Sequence, residues 1–439
     1  MSGDVFEAAR RHFVDGVRAF EAAQYDEALR QFEASLALMP GRTSTLLNLA
    51  MTQLKLGRPE HALDNLAAVL AAQPTLGEAW VQRGHALADL GRDDEALAAY
   101  DCVGDEDPSH AVALFHRGLA LNRLQRPADA LACFDRLLEA DPAAAAAWWR
   151  RGQTLQELQQ EDEAFESYRR ALDHDPALAD AWSRRGAILK DRGALADAAE
   201  CFRRAIEHGG DAALNGYLLA SVSGGDAAPA QSPAAYVRGL FDGYADGFDR
   251  HLVDVLHYRA PQLIAQQVAA LAKAAGRRFG AALDLGCGTG LCGPLLAPLV
   301  EAVDGIDLSP TMLEAARRRG VYRSLVQADI AEHLRTTEAR YDLLVAADVF
   351  IYIGALDAVF AGARRVLRPG GVLCASVEAA DDAHDWLLRP SARYAQSRRY
   401  LHALAAGHGF EVLAIDEHPI REDQRQPVPG LIATLKRSG

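Results

Sequence analysis

Small and bulky residues return along the first half of the chain at one fixed spacing. Alanines stand at 28, 62, 96, 130, 164 and 198, and prolines at 40, 74, 108, 142 and 176. Glycines occupy 16, 84, 118, 152 and 186, with Ala50 in the missing place, and every series has a period of 34. A bulky residue follows four places after each alanine: Phe32, Leu66, Tyr100, Phe134, Tyr168 and Phe202. Residues four apart share a helix face. Each unit therefore reads as two helices whose small residues permit a close crossing and whose bulky residue fills the gap against the next unit. Proline cannot continue a helix and marks the junction between units; Gly57, Gly91 and Gly193 mark the turn within one. The pattern predicts six helical hairpins over residues 1–210. At 210 the period fails, since Gly210 stands where proline is due. Residues 211–220 read as a capping helix and 221–233, rich in Gly, Ala, Pro and Ser, as a linker. A second domain is expected over 236–439, with 211–235 between the two.

From about residue 281 the periodicity changes. Apolar runs of strand length at 281–285, 303–308, 325–328, 341–346 and 372–377 alternate with helical stretches from 310, over 356–366 and near 397–406. Strands alternating with helices imply a mainly parallel sheet. The runs at 411–415 and 431–436 lie close together and suggest a reversed last strand.

Composition narrows this picture. A chain of 439 residues, 50% hydrophobic and 24% charged, has material for more than one core. Its formal net charge of -14 argues against an electrostatic hold on nucleic acid or an anionic membrane. The six cysteines form no Cys-x-x-Cys pair and there is no His cluster at zinc spacing, so reduced thiols and no metal site are expected. Residues 1–20 lack the apolar core of a leader peptide. The apolar stretch 343–363 is broken by Asp348 and Asp357, too short a run for a membrane span. A cytoplasmic protein is the expectation.

The chemical signal is the run Asp284-Leu-Gly286-Cys-Gly288-Thr-Gly290. Alternate glycines let the backbone turn tightly and bring peptide N–H groups against a ligand. Alone, the run is ambiguous, because Gly288-Thr-Gly290-Leu-Cys-Gly293 also fits the dinucleotide pattern, with Asp307 placed to hold ribose hydroxyls. Asp284, two residues before the first glycine, would repel a pyrophosphate but suits an ammonium group or the fixing of the loop. Asp329, at the third strand end, can accept from an adenine amino group. With the reversed last strand, these features favour S-adenosylmethionine over a nicotinamide or flavin.

The first half, in residues 80–108 and 148–176 most clearly, resembles the tetratricopeptide repeat over about residues 8–208. The runs Leu283-Asp-Leu-Gly-Cys-Gly-Thr-Gly290, Gly305-Ile-Asp-Leu-Ser309, Gln327-Ala-Asp329 and Leu367-Arg-Pro-Gly-Gly371 resemble the class I S-adenosylmethionine-dependent methyltransferases. The stretch 240–253 is similar to a subgroup fused to such repeats. These resemblances imply an all-α solenoid followed by a Rossmann-like α/β domain with a seven-stranded mixed sheet. They imply that Gly286, Gly288 and Gly290, with Asp284 nearby, line the methionine and ribose end. Asp307 would accept from both ribose hydroxyls, Leu308 would pack on adenine, Asp329 and Ile330 would flank the ring, and 346–350, beginning with Ala346, would pass beneath the methyl donor.

Asp348, at the mouth of the fourth strand, is the candidate base; His251, His384 and His402 read as surface or packing residues. Residues 236–249, with several aromatics, read as a lid. Tyr244, Phe248, Tyr352 and Tyr394 are the candidate substrate-pocket residues, and Arg393, Tyr394 and Arg399 could hold an anionic acceptor. Ala347-Asp-Val-Phe350 stands where an Asn-Pro-Pro-Tyr-like signature would suggest a planar amine, which shifts weight to small-molecule acceptors. The expected function is methyl transfer from S-adenosylmethionine to a small-molecule or protein acceptor. A protein or peptide partner is expected on the concave face of the repeats. The competing reading is a scaffold whose S-adenosylmethionine-binding domain does not turn over.

Overall fold

The computed structural model describes residues 3–224, 228–242, 249, 257–423 and 426–439. The chain divides into two compact units, Met1–Ile188 and Leu189–Gly439.

In the first unit helices pair in sequence: α1 (Gly3–Glu21) with α2 (Tyr25–Leu38), α3 (Thr43–Lys55) with α4 (Pro59–Ala72), and α5 (Gly77–Asp89) with α6 (Asp93–Tyr100). Then α7 (His110–Arg123) pairs with α8 (Pro127–Ala140) and α9 (Ala145–Glu157) with α10 (Glu161–His174), before α11 (Ala179–Asp191) begins the sixth repeat. The 34-residue registers have the steric meaning the sequence suggests. A Cβ added to Gly16, Gly118 or Gly152 would stand 2.7, 2.7 or 2.5 Å from a ring carbon of Phe32, Phe134 or Tyr168. The ring of one helix thus occupies the space that a side chain on its partner would need. Two features were not legible in advance. Residues 23, 57, 91, 125, 159 and 193 all take the left-handed conformation at the hairpin turn, although only three are glycine. Ala23, Gln125 and Gln159 bear that cost without glycine's freedom. The Trp80, Trp148 and Trp182 indoles each donate to the carbonyl of the proline six residues earlier, at 2.8 Å, tying the junction between repeats to the next helix.

The second unit begins with the end of the sixth repeat, α12 (Leu195–Glu207), and the capping helix α13 (Ala212–Ser223), whose first turn is capped by Asp211. After α14 (Ala234–Asp242) and α15 (Ala260–Ala275) comes the sheet, with the short α16 (Gly293–Leu296) after its first strand: β1 (Phe279–Leu285), β2 (Val300–Asp307), β3 (Tyr322–Gln327), β4 (Tyr341–Ala346), β5 (Leu367–Ala380), β6 (Trp386–Leu388), β7 (Tyr394–Ser397), β8 (Phe410–Asp423) and β9 (Gln426–Arg437). Seven strands form the mixed sheet in the order β3-β2-β1-β4-β5-β9-β8, with β9 antiparallel to both neighbours and the first five parallel. The β6–β7 pair is an addition, joined to the far end of the long β5. Alternation along β4 sends Leu344 and Ala346 to one face and Leu343 and Val345 to the other, and all four are fully buried. Val359 and Phe360 of α19 (Asp357–Val366) pack on the first face, and Ile264 and Val268 of α15 on the second. A sheet covered on both faces is what near-continuous apolar strands require. Among the described residues no helix is long and apolar enough to cross a membrane, and the six cysteines are free.

The capping helix is bound into this unit. Tyr217 is fully buried among Leu388, Ala392 and Tyr394, and its hydroxyl donates to the Ala392 carbonyl at 2.5 Å. A chain of residues 189–439 should therefore unfold in one transition. A chain of 236–439, lacking Tyr217 and its neighbours, should be less stable by about 3 kcal/mol or more, the order of cost of removing a buried aromatic. Denaturant unfolding of both chains measures this, and equal stabilities would make helices 195–223 dispensable.

Candidate functional site

Parallel α/β sheets bind ligands beyond the carboxyl ends of their strands, where the loops are free to approach. Here β1 runs straight into the glycine turn. Gly286, Gly288 and Gly290 have φ of 65°, 52° and 84°, so alternate residues take a conformation that favours glycine. The three differ in what surrounds them. A Cβ at Gly286 would overlap Val349, and one at Gly290 would stand 2.9 Å from the Tyr322 ring. Nothing lies within 4 Å of the corresponding point at Gly288, so the bare backbone there opens onto free space.

That space is a cavity of about 330 Å³, at the lower end of the roughly 300–1,000 Å³ usual for small-molecule and cofactor sites. Gly286, Gly288, Asp307, Leu308, Asp329 and Ile330 line one part of it, and Asp348 and Tyr352 another. At the end of β2, Asp307 accepts from the Gly288 N–H at 2.8 Å and from the Ser309 N–H at 2.9 Å. It thereby fixes the turn after β1 to the start of α17 (Pro310–Arg318). Burial raises its pKa above the ordinary carboxylate value, and these backbone donors, with that of Leu308, pull it back. Asp329 caps α18 (Ile330–Thr336) by accepting from the Glu332 N–H at 3.0 Å.

Three of the expected cofactor residues do not line the cavity. Asp284 is buried beneath the turn and accepts from the Tyr322 hydroxyl at 2.7 Å. Burial pushes its pKa up to about 7, with Tyr322 opposing and Asp307 adding to the rise. Gly290 is packed against Tyr322, and a Cβ at Gly293 would also stand 2.8 Å from that ring. The Asp284–Tyr322 bond thus clamps the glycine turn from below. Tyr322 is a residue that sequence reasoning missed, since nothing in its surroundings in the chain marks it. Ala346 is fully buried, because the period of β4 turns it to the core; the next residue, Ala347, lines the cavity.

On the opposite side, Asp348 has a left-handed backbone (φ 57°) and its N–H donates to Ser376 Oγ at 2.7 Å. Its carboxylate accepts twice from Arg421 Nη1, at 2.6 and 2.8 Å, and so is committed to an ion pair rather than standing ready as a base. Tyr352 lines the cavity, with burial pushing its pKa up to about 12. Tyr394 does not reach it. The ring is fully buried against Trp386 and Tyr217, and its hydroxyl donates to the Pro229 carbonyl at 2.6 Å. Arg393, its neighbour, does line the cavity, whereas Arg399 pairs with Asp385 at 2.9 Å. His384 is exposed beside Asp381 at 3.7 Å, and His402 is exposed on α20 (Arg398–Gly407). Tyr244, Phe248 and His251 lie outside the described residues.

The segment read as a linker forms part of the wall. Gln231 bridges to Ile353, Ser232 N–H donates to the Tyr352 carbonyl at 2.9 Å, and Gly354 N–H donates to the Ala230 carbonyl at 2.8 Å. Gln231 and Ser232 line the cavity, as do Val237, Leu240 and Phe241 from the expected lid. Two acids of that region are tied to the glycine-turn side of the cavity. Asp242 accepts from Ser309 Oγ at 2.6 Å, and Asp249 accepts from Thr289 Oγ1 and, at 2.5 Å, from Arg319.

A glycine turn closed by a strand-end carboxylate, under a seven-stranded sheet with one reversed strand, defines a nucleotide-binding α/β domain of the methyltransferase type. Comparison with known proteins agrees. A methyltransferase domain profile matches residues 282–371, and tetratricopeptide repeat profiles match 19–80, 77–101, 103–144, 115–179 and 154–214. The chain is 32% identical over 148 residues to the biotin biosynthesis bifunctional protein BioCD of Bordetella avium, covering 33% of this chain and 31% of that one. It is 36% identical over 113 residues to malonyl-(acyl-carrier protein) O-methyltransferase of Enterobacter lignolyticus, covering 26% and 45%. It is 30% identical over 222 residues to the protein of that name from Geobacter sulfurreducens, covering 44% and 79%. The chain spans less than half the length of the first two of these. It belongs to the class I S-adenosylmethionine-dependent methyltransferases, with tetratricopeptide repeats ahead of the methyltransferase domain.

The buried Asp284 gives a test of the turn. A carboxyl raised from its ordinary value near 4 to about 7 disfavours the folded state once it ionises. This cost is absent below about pH 4 and complete above about pH 7. Relative to Asp284→Asn, the wild type should lose stability as pH rises through that window, by up to about 4 kcal/mol. Denaturant unfolding at pH values on either side reads it out, and a difference constant with pH would contradict the burial argument.

Proposed function

We propose that the second unit binds S-adenosylmethionine in this cavity and transfers its methyl group to an oxygen acceptor, while the repeats recruit a protein partner or substrate. The observation that carries the reading is the Asp307 carboxylate, held by the Gly288 and Ser309 amides beside bare glycine backbone. A carboxylate has further lone pairs and accepts from two vicinal hydroxyls at once. Gly288 leaves room for the methionine end, and Gly286, packed against Val349, lines the same stretch of wall. Leu308 and Ile330 offer apolar surface to either side of an adenine ring, with Asp329 accepting from its amino group. Asp284 acts from below the turn, its charge favouring a cation above it. Gly290 and Ala346 shape the turn and the floor without touching the ligand.

The bound cofactor supplies an already activated methyl group on a sulfonium. The protein's work is alignment and exclusion of water, and orientation of this kind is worth up to about 7–11 kcal/mol of a barrier. Val237, Leu240 and Phe241 line the cavity and give it an apolar cover. An oxygen acceptor is supported by the relatives named as O-methyltransferases. A partner on the concave face is supported by the architecture of the repeats. A cytoplasmic setting is supported by the free cysteines.

Isothermal calorimetry tests the reading. Asp307→Ala should weaken S-adenosylmethionine binding about 100-fold or more, since two hydrogen bonds to a charged group are lost, while the helical signal of the repeats is kept. Unchanged affinity, or no binding by the folded wild type, would contradict it.

A further inference from the structure

Three stretches of chain far apart in sequence meet at one hydroxyl. Tyr217, in the capping helix α13, donates to the Ala392 carbonyl at 2.5 Å and accepts from Ser232 Oγ at 2.8 Å. Its ring is fully buried beside those of Tyr236 and Tyr394, with centroids 5.3 and 6.1 Å away. Burial holds the phenol well above its ordinary pKa, so the proton it donates stays in place. Each partner of that hydroxyl is tied to the cavity. Ser232 lines it, and the Ser232 N–H donates to the carbonyl of Tyr352, a second lining residue, at 2.9 Å. Ala392 immediately precedes Arg393, a third. Ala392 is itself left-handed (φ 56°) and almost fully buried, in the turn that joins β6 to β7. A residue other than glycine keeps that conformation where its surroundings hold it. Here its N–H donates to the Arg389 carbonyl at 2.9 Å, and the Tyr217 hydroxyl grips its own carbonyl.

The Tyr352 hydroxyl feels the charges of Arg393, Asp348 and Arg421, so the residues that depend on Tyr217 border one region of the cavity. On the donor reading above, on which this inference rests, Asp307 and Gly288 take the nucleoside and that region is left to the acceptor. We infer that Tyr217 is a positioning residue, whose hydroxyl sets Ser232, Tyr352 and Arg393 as one wall against which the acceptor is aligned. The helix that closes the repeats therefore takes part in methyl transfer without touching donor or acceptor. Alignment is the protein's main contribution to this reaction, so a small displacement of the wall is felt in the transfer step. The donor end is held separately, by the Gly288 and Ser309 amides on Asp307, and keeps its shape when the Tyr217 hydroxyl is lost.

Tyr217→Phe deletes the hydroxyl and keeps the ring, and Ser232→Ala deletes the group that bonds to it. The full chain and its variants are incubated with saturating S-adenosylmethionine carrying a labelled methyl group and an extract of cells lacking this protein. The initial rate of label transfer is measured, and donor affinity is read separately by calorimetry. Tyr217→Phe should slow transfer about 3- to 10-fold, the worth of one neutral hydrogen bond, with donor affinity within about twofold of wild type. The two substitutions act on one bond, so the double variant should be no slower than Tyr217→Phe alone. Tyr400→Phe controls for a general loss of stability. Tyr400 is also buried, and its hydroxyl accepts from the Leu356 N–H at 2.9 Å and donates to Asp357 at 3.1 Å, within the core under α19. That variant should transfer within about twofold of the wild-type rate. Wild-type transfer by Tyr217→Phe, or equal slowing by Tyr400→Phe, would overturn the positioning role and leave methyl transfer standing. Slowing matched by lost donor affinity would put Tyr217 on the donor side and overturn it as well. Additive effects would overturn the link through Ser232. Donor binding with no label transferred would overturn this inference together with catalysis, and absence of donor binding would overturn the reading beneath both.

Discussion

The second unit is organised around one half-buried carboxylate. Asp307 ends β2 and, through its two oxygens, joins the turn leaving β1 to the helix that follows β2. Without it the Gly288 amide, at the edge of the cavity, would lose its protein partner where the chain bends. The same oxygens stand at the edge of the cavity. On the proposed reading the structural and the ligand-binding demands on Asp307 coincide, and both call for an acid although burial opposes its ionisation. Asp284 makes a complementary contribution from underneath, holding the Tyr322 ring against Gly290 and Gly293 so that the turn has a solid floor. Two carboxylates in one small volume are tolerable when hydrogen bonds offset their desolvation, and a cation placed between them and solvent would relieve what remains.

Much of this was legible in the sequence because it depends on local constraints. The repeats announce themselves through sterics: a small residue must face a ring, and Gly118 opposite Phe134 repeats Gly16 opposite Phe32. The strand ends are equally plain, since Asp307 and Asp329 each close an apolar run and precede a helix. Other features depend on contacts far apart in the chain. Tyr322 meets Asp284 across 38 residues and Arg421 meets Asp348 across 73, and no periodicity carries that information. Tyr394 illustrates a different failure. An aromatic beside Arg393 on the substrate side suggests a pocket residue, but all four residues of β7 are buried, and the ring belongs to the packing against Trp386.

The segment after the capping helix carries the clearest lesson about composition. Gly, Ala, Pro and Ser suggest a flexible connection, yet small residues also allow two backbones to come close enough to pair. Ala230 receives both the Gly354 and Ala355 amides, and Tyr217 is bonded to Ser232 and to Ala392, 175 residues further on. What connects the end of the repeats to the methyltransferase sheet is therefore also a wall of the cavity, and the capping helix is part of the same folded body.

The central claim is that Asp307 anchors the nucleoside of a methyl donor over the glycine turn. A crystal structure with S-adenosylhomocysteine bound tests it most directly. The account predicts both ribose hydroxyls within hydrogen-bond distance of the Asp307 carboxylate, with the adenine between Leu308 and Ile330. A nucleoside bound elsewhere, or in the cavity with its ribose turned away from Asp307, would contradict it.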